Sequence, residues 1–227
     1  MSTTSTTQIK VSTAEEVHEQ LEQAGVRLEA PPDTARLVVR TLRRLAQGRP
    51  VPMTDVDGLA SDLERAEEAV DFIKQMTEKD DDGNVLGLMG LSLSDHPHDF
   101  EVDGQDLHTW CAWDTLFLPP LLGQTAHVVS KDPATGQEVR LKVTPDGVER
   151  AQPEDVLVSI VVPGEEIGSS GTAEQIQAVF CNFIHFFTSA DSAAAWFSER
   201  DMPVSFLTLD EAVKLGRLHL ADLMAQA

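Results

Sequence analysis

Apolar residues in this chain change their period near residue 80, and that change constrains the fold more than any other feature. Up to there they recur every three or four positions. Beyond it β-branched blocks separated by turns come in, with further helical stretches among them. A chain of this kind has to be α+β, with short helices gathered toward its N-terminal side. After "MSTTSTTQIKVSTAEE", Ser12 or Thr13 followed by Glu15 and Glu16 predicts a capping box, with a helix to about Gln23 stopped at Gly25. "APPD" is a break. "TARLVVRTLRRLAQG" then sets Leu37, Val38, Leu42 and Leu45 at helical spacing and ends at Gly48. A short helix from Thr54 with Val56, Leu59 and Leu63 follows. "ERAEEAVDFIKQM" is another, burying Ala66, Val70, Ile73 and Met76. Asp82-Gly83-Asn84 is a turn signal, and 85–93 and 99–102 read as the strands of a hairpin. Three short helices and a hairpin predict a winged-helix-like domain over 31–104, preceded by a tail and helix over 1–30.

Residues 105–227 read as a second domain of mixed α/β type. An apolar helix is expected over roughly 106–118, closed by Pro119-Pro120. "TAHVVSK", "GQEVRLKV" and "VLVSIVVP" read as strands, parted by turns such as "DPATG" and "TPDG". The loop "GEEIGSSGTAEQ" leads into "IQAVFCNFIHFFTS". Ser189 or Asp191 caps a helix through Trp196, and Thr208 with Glu211 opens a terminal helix to about Met224.

Charge and motif content exclude several function classes. The formal net charge is −21, with six lysines against eleven arginines, which argues against a nucleic-acid surface. The stretch "SDLERAEEAVDFIKQM" is predominantly acidic, unlike a DNA-recognition helix. The helical N-terminal part is therefore expected to cover its neighbour and not to bind DNA. No run of about 18 apolar residues predicts a membrane span. The N-terminal segment lacks the pattern of a signal peptide, so a cytoplasmic location is expected. The two cysteines are expected as free thiols in a reducing compartment, and no Cys/His spacing suits zinc. G-x-S-x-G, P-loop, GxGxxG and HExxH motifs are absent, so no resident cofactor is implied.

The chemistry-bearing stretch is "HTWCAWDTLFLPP". Cys111 and Asp114 stand three residues apart between Trp110, Trp113 and Phe117, a spacing that puts both on one face of a helix. A carboxylate among aromatics has its pKa raised by desolvation, and such a group holds and releases a proton near neutral pH. The other reading is a buried cysteine beside a helix-surface aspartate. Cys181, in "AVFCNFIHFF", reads alone as a small buried hydrophobe, and His185 as a core histidine. If the two cysteines meet beside Asp114, their thiolates suit a soft metal and the carboxylate can protonate an atom bonded to it. Cleavage of a metal–carbon bond is the chemistry implied.

"WCAWDTLFLPPLLGQTAHV", "PATGQEVRLKV", "VSIVVP" and "FCNFIHFFTSADSAAAWF" together resemble the organomercurial lyases, also called alkylmercury lyases. The resemblance runs over roughly 33–224 and includes "LRRLAQGRPV" and "KDDDGNVLGLMGLSL". It implies that 105–227 is the catalytic domain and that Cys111, Asp114 and Cys181 are the catalytic residues. Cys111 and Cys181 would hold mercury as substrate and product, with Asp114 as a further candidate ligand. It also implies protonolysis of R–Hg⁺ to R–H and Hg²⁺, with low-molecular-weight thiols or a mercuric reductase taking the metal onward. A binder of mercury by the same thiols, without catalysis, is the alternative. Two departures from the family stand out: Asn182 replaces a cysteine that many relatives carry after the distant catalytic one, and none lies near "SKDPATG". His108 and Thr109 read as structural or surface residues.

Overall fold

The structure is a computed structural model that describes residues 9–26, 30–162, 171–198, 200 and 202–227. Four helices come first: α1 (Ala14–Gln23), α2 (Pro32–Leu45), α3 (Met53–Leu59) and α4 (Ala66–Gln75). Thr13 caps α1 in a full capping box with Glu16, and Gly25 follows at φ 73°. α2 buries Leu37, Val38, Leu42 and Leu45, the stripe expected from its spacing. "GEEIGSSG", the centre of the loop expected before Cys181, lies mostly outside the described residues.

Five short strands follow: β1 (Thr77–Lys79), β2 (Val85–Leu88), β3 (Leu91–Ser92), β4 (His98–Val102) and β5 (Gln105–Thr109). Then come α5 (Asp114–Leu122), β6 (Ala126–Lys131), β7 (Glu138–Thr144), β8 (Gly147–Gln152) and β9 (Leu157–Val161). The chain ends with α6 (Ala173–Val179), a 3-10 turn (Cys181–Phe183), β10 (Phe186–Phe187), α7 (Ala190–Phe197), β11 (Val204–Thr208), α8 (Leu209–His219) and α9 (Ala221–Met224). Ser189 and Thr208 are the N-caps of α7 and α8.

Eight strands form one antiparallel sheet in the order β1-β2-β3-β5-β4-β6-β7-β8, and three form a second, β10-β9-β11. The first sheet carries strands from both sides of residue 104. α5 lies against β6, β7 and β8 and is covered in turn by α2, α8 and α9. It is apolar on every side, as a wholly enclosed helix must be. No helix among the described residues is long and apolar enough to cross a membrane.

The helix expected over 106–118 is corrected by the structure. Asp103 and Gly104 both take positive φ, 51° and 74°, which reverses the chain in two residues. Residues 105–109 therefore pair with β4 in register, Phe100 opposite Leu107, and β5 also takes β3 on its other edge. The apolar cluster 110–113 imitates helical spacing but is the turn leaving this strand. Nor do Pro119 and Pro120 close α5. They lie inside it, and it ends at Gly123, in the left-handed region at φ 69°. Their lost backbone donors are tolerated because eight of the nine residues of α5, all but Pro120, bury in the core.

Candidate active site

Two distant turns build the site. The first leaves β5. Trp110 N–H donates to the Gly90 carbonyl at 2.9 Å, tying this turn to the β2–β3 hairpin. Thr109 Oγ1 donates to the Cys111 carbonyl at 3.0 Å. Asp114 opens α5, and its Oδ2 accepts the Cys111 N–H at 2.7 Å. Cys111 and Asp114 thus do not share a helix face as the spacing suggested. Cys111 precedes the helix, and the two meet through a cap-like hydrogen bond.

The second turn carries Cys181, held by Ile184 N–H on the Cys181 carbonyl at 3.1 Å. The two turns join directly, Ala112 N–H donating to the Ile184 carbonyl at 3.2 Å. One ligand atom each of Cys111, Asp114 and Cys181 lies within 4.8 Å of the others, so residues 70 positions apart in the chain share one site. Both thiols are free.

All three side chains are buried, Cys111 completely, Cys181 and Asp114 at 4% and 5% exposure. Burial pushes the Cys111 thiol well above the ordinary range; its hydrogen bond to Cys181 and the nearby Asp114 carboxylate add to this. The same hydrogen bond pulls Cys181 down, but burial and the Asp114 charge outweigh it, leaving that thiol raised. Desolvation lifts Asp114 to about 7, against hydrogen bonds from the Cys111 thiol and backbone that favour its charged form. The centre therefore holds protonated sulfur beside a carboxyl group poised near neutrality. Trp113, the residue before Asp114, packs edge-on against Phe117 at 5.3 Å and Phe180 at 6.3 Å, and its Nε1 donates to the Ala212 carbonyl at 2.9 Å.

The raised carboxyl has a consequence for stability. An unfolded chain ionises Asp114 near 4, the folded site only near 7. The stability due to the folded state's preference for the protonated form is fully present below about pH 4 and is lost as pH rises to about 7. Asparagine has no such titration. Denaturant titrations should therefore show the wild type losing stability relative to Asp114→Asn across that window. A difference that stays flat would contradict the burial argument.

Space for the carboxyl is made by Gly90, at φ +92°. A Cβ there would meet Asp114 Cγ at 2.3 Å. Gly90→Ala is expected to cost about 1–3 kcal/mol from the backbone alone and to displace Asp114. Urea midpoints and activity should fall together, and an unaffected variant would show that the turn yields freely.

The remaining residues singled out in the sequence are peripheral. Thr109 is buried, and His108 stands 3.5 Å from Asp99 at a partly exposed position. Asn182 is exposed, and its carbonyl contacts His185 Nε2 at 3.0 Å. His185 packs edge-on against Trp196 at 5.4 Å. Asp132, in "SKDPATG", is wholly buried and accepts from Thr188 and Ala134, tying that turn to the end of β10. Sequence reasoning missed Gly90 and a group around Glu78, comprising Ser92, His96 and Gln177. "LMG" between two apolar pairs was a signal for the first, since a two-residue hairpin turn needs positive φ. The second had none, because its members are scattered over a hundred positions.

A buried pair of thiols beside one carboxyl group, in a fold with an eight-stranded antiparallel sheet and a three-stranded one, has the donor set that could hold a soft metal ion and a group that can carry a proton. The alkylmercury lyase family model matches residues 91–220. Similar proteins are the alkylmercury lyases of Staphylococcus epidermidis, 40% identical over 179 residues (78% of this chain, 77% of that protein), and of Streptomyces lividans, 41% identical over 179 residues (78% of each). That of Pseudomonas putida is 38% identical over 191 residues, 83% of this chain and 84% of that one. The fold matches a crystal structure of the mercury-bound form of MerB2 with a TM-score of 0.69 at 21% identity, covering 92% of this chain and 99% of that one. The chain belongs to the alkylmercury lyase family.

Proposed function

We propose that Cys111, Cys181 and Asp114 cleave the carbon–mercury bond of organomercurials by protonolysis, the chemistry of a detoxifying lyase. The observation that carries this reading is the three-atom cluster within 4.8 Å, buried and free of disulfide. One thiol gives up its proton and its sulfur bonds mercury, displacing any carrier thiol. The second thiol passes its proton to the Asp114 carboxylate as its sulfur bonds the same mercury. Donation from two sulfurs makes the carbon more basic. Asp114 then delivers the proton to carbon, which keeps the electron pair of the breaking bond. The balance is R–Hg⁺ plus two thiols giving R–H, one proton and Hg²⁺ held by both sulfurs, with no change in oxidation state. Raised thiol pKa values keep both protons in place until mercury arrives. Burial of all three side chains keeps water from the reacting atoms.

In this reading mercury is substrate and product, and external low-molecular-weight thiols release the ion. A mercuric reductase is the onward acceptor, in the cytoplasm. Incubation with methylmercury and excess thiol, following methane in the headspace, tests it. Steady methane release is expected. Stoichiometric mercury uptake with no methane would leave the thiols as a binding site without catalysis. No resident metal or organic group takes part in the scheme. Chelator-treated protein in thiol buffer is therefore expected to keep its activity. Loss that only added zinc, copper or iron restored would refute the scheme.

A further inference from the structure

Cys181 is held differently on its two sides. Downstream the chain is locked into β9 by backbone and hydroxyl hydrogen bonds. Ser159 N–H donates to the His185 carbonyl at 3.1 Å, and Ser159 Oγ donates to the Phe183 carbonyl at 2.8 Å and accepts from His185 N–H at 3.0 Å. Upstream lies α6, seven residues long and closed by its own capping box of Thr172 and Gln175. A helix that short does not hold its place unaided. Among the described residues, its side-chain link to the first sheet is Gln177, whose Nε2 donates to Glu78 Oε1 of β1 at 2.8 Å.

Glu78 occupies a built seat. Its Oε1 also meets His96 Nε2 at 2.9 Å, and its Oε2 accepts from Ser92 Oγ. Gly87 of β2 makes the room, since a Cβ there would lie 2.3 Å from Glu78 Oε2. The β2–β3 hairpin thus carries two glycines that each admit one carboxyl group, Gly87 for Glu78 and Gly90 for Asp114. Burial works against the Glu78 charge, but its hydrogen bonds from His96, Ser92 and Gln177 outweigh that and hold it below the ordinary range. An ionised carboxylate only accepts hydrogen bonds, so the Gln177 amide is fixed nitrogen-first. The negative charge of Glu78 disfavours a thiolate at Cys181, so what the contact offers that sulfur is placement and not activation.

We propose that Glu78, seated over Gly87 and clasping Gln177, is a positioning residue that sets the Cys181 sulfur against Cys111 and so governs how tightly the pair retains Hg²⁺. The inference rests on the two-thiol reading above. Its test measures Hg²⁺ retention against a competing small dithiol, together with kcat and KM for an organomercurial, in full-length Glu78→Ala, Gln177→Ala, the double variant and Gln177→Arg. Each alanine variant is expected to lose retention about 10-fold or more, the range for groups that orient metal ligands, with kcat falling more than KM rises. The double variant should be no worse than Glu78→Ala alone, because Gln177→Ala removes only a contact that Glu78→Ala already removes. Gln177→Arg, which pairs with the same carboxylate, should keep retention at or above the wild-type level. A purely structural role would lower the unfolding midpoint and leave the kcat-to-KM split unchanged. Wild-type retention in Gln177→Ala, or additive losses in the double variant, would overturn the proposal. Should Glu78→Ala not fold, the two Gln177 variants decide it. Full retention in Cys181→Ala would instead sink the two-thiol reading itself, which separates the two failures.

Discussion

Replacing Asp114 with asparagine should slow hydrocarbon release by at least about 100-fold while leaving Hg²⁺ bound. Groups that move protons in the transition state typically contribute about 10²–10⁴-fold. Asparagine keeps the shape beside Gly90, and its side-chain oxygen can still accept the Cys111 N–H that Asp114 Oδ2 accepts at 2.7 Å. It holds no transferable proton. Affinity for the ion comes from sulfur, so mercury titration of the variant should resemble the wild type. The measurement is single-turnover release of R–H beside equilibrium Hg²⁺ binding. Hydrocarbon release near the wild-type rate would remove Asp114 from the proton path and require a cysteine or water as donor.

Cys181→Ala should fail in both respects. It removes one of two sulfurs within 4.8 Å of each other, so turnover should stop and product Hg²⁺ should be lost to competing thiol. The substitution takes one sulfur from a buried site, and Cys181 is 4% exposed, so some loss of folding stability accompanies it. That loss is measurable separately as a shift in urea midpoint. The contrast between the two variants is diagnostic. Asp114→Asn binds without cleaving, and Cys181→Ala neither cleaves nor holds the product. If Cys181→Ala still released hydrocarbon at the wild-type rate, Cys111 with Asp114 would suffice for cleavage.

Much of the local structure was legible before the fold. The capping box at Thr13, the N-caps at Ser189 and Thr208 and the apolar stripe of α2 each lie within a few residues of sequence, and the structure has them where the spacing put them. The stretch 105–118 shows the limit of such reading. Leu107, Trp110, Trp113 and Phe117 recur at helical spacing, yet Asp103 and Gly104 take positive φ and commit 105–109 to a strand. The D-G turn signal was present in "VDGQ", but strand pairing with β3 and β4 outweighed the local period.

The sequence by itself determined which groups are available: two thiols, one carboxyl group beside the first, a ring of aromatics, and the family pattern they spell. Only the tertiary structure decided what those groups are. It brought Cys181 to Cys111 through one backbone hydrogen bond from Ala112 to Ile184. It buried Asp114 and so lifted its pKa to about 7. It also placed Glu78 and Gln177, 99 positions apart, in contact, Gln177 standing on the helix that leads into Cys181. The physical reason is range. Caps and amphipathic periods are set by neighbours in the chain, whereas desolvation and the meeting of distant turns are set by every element that packs around the site.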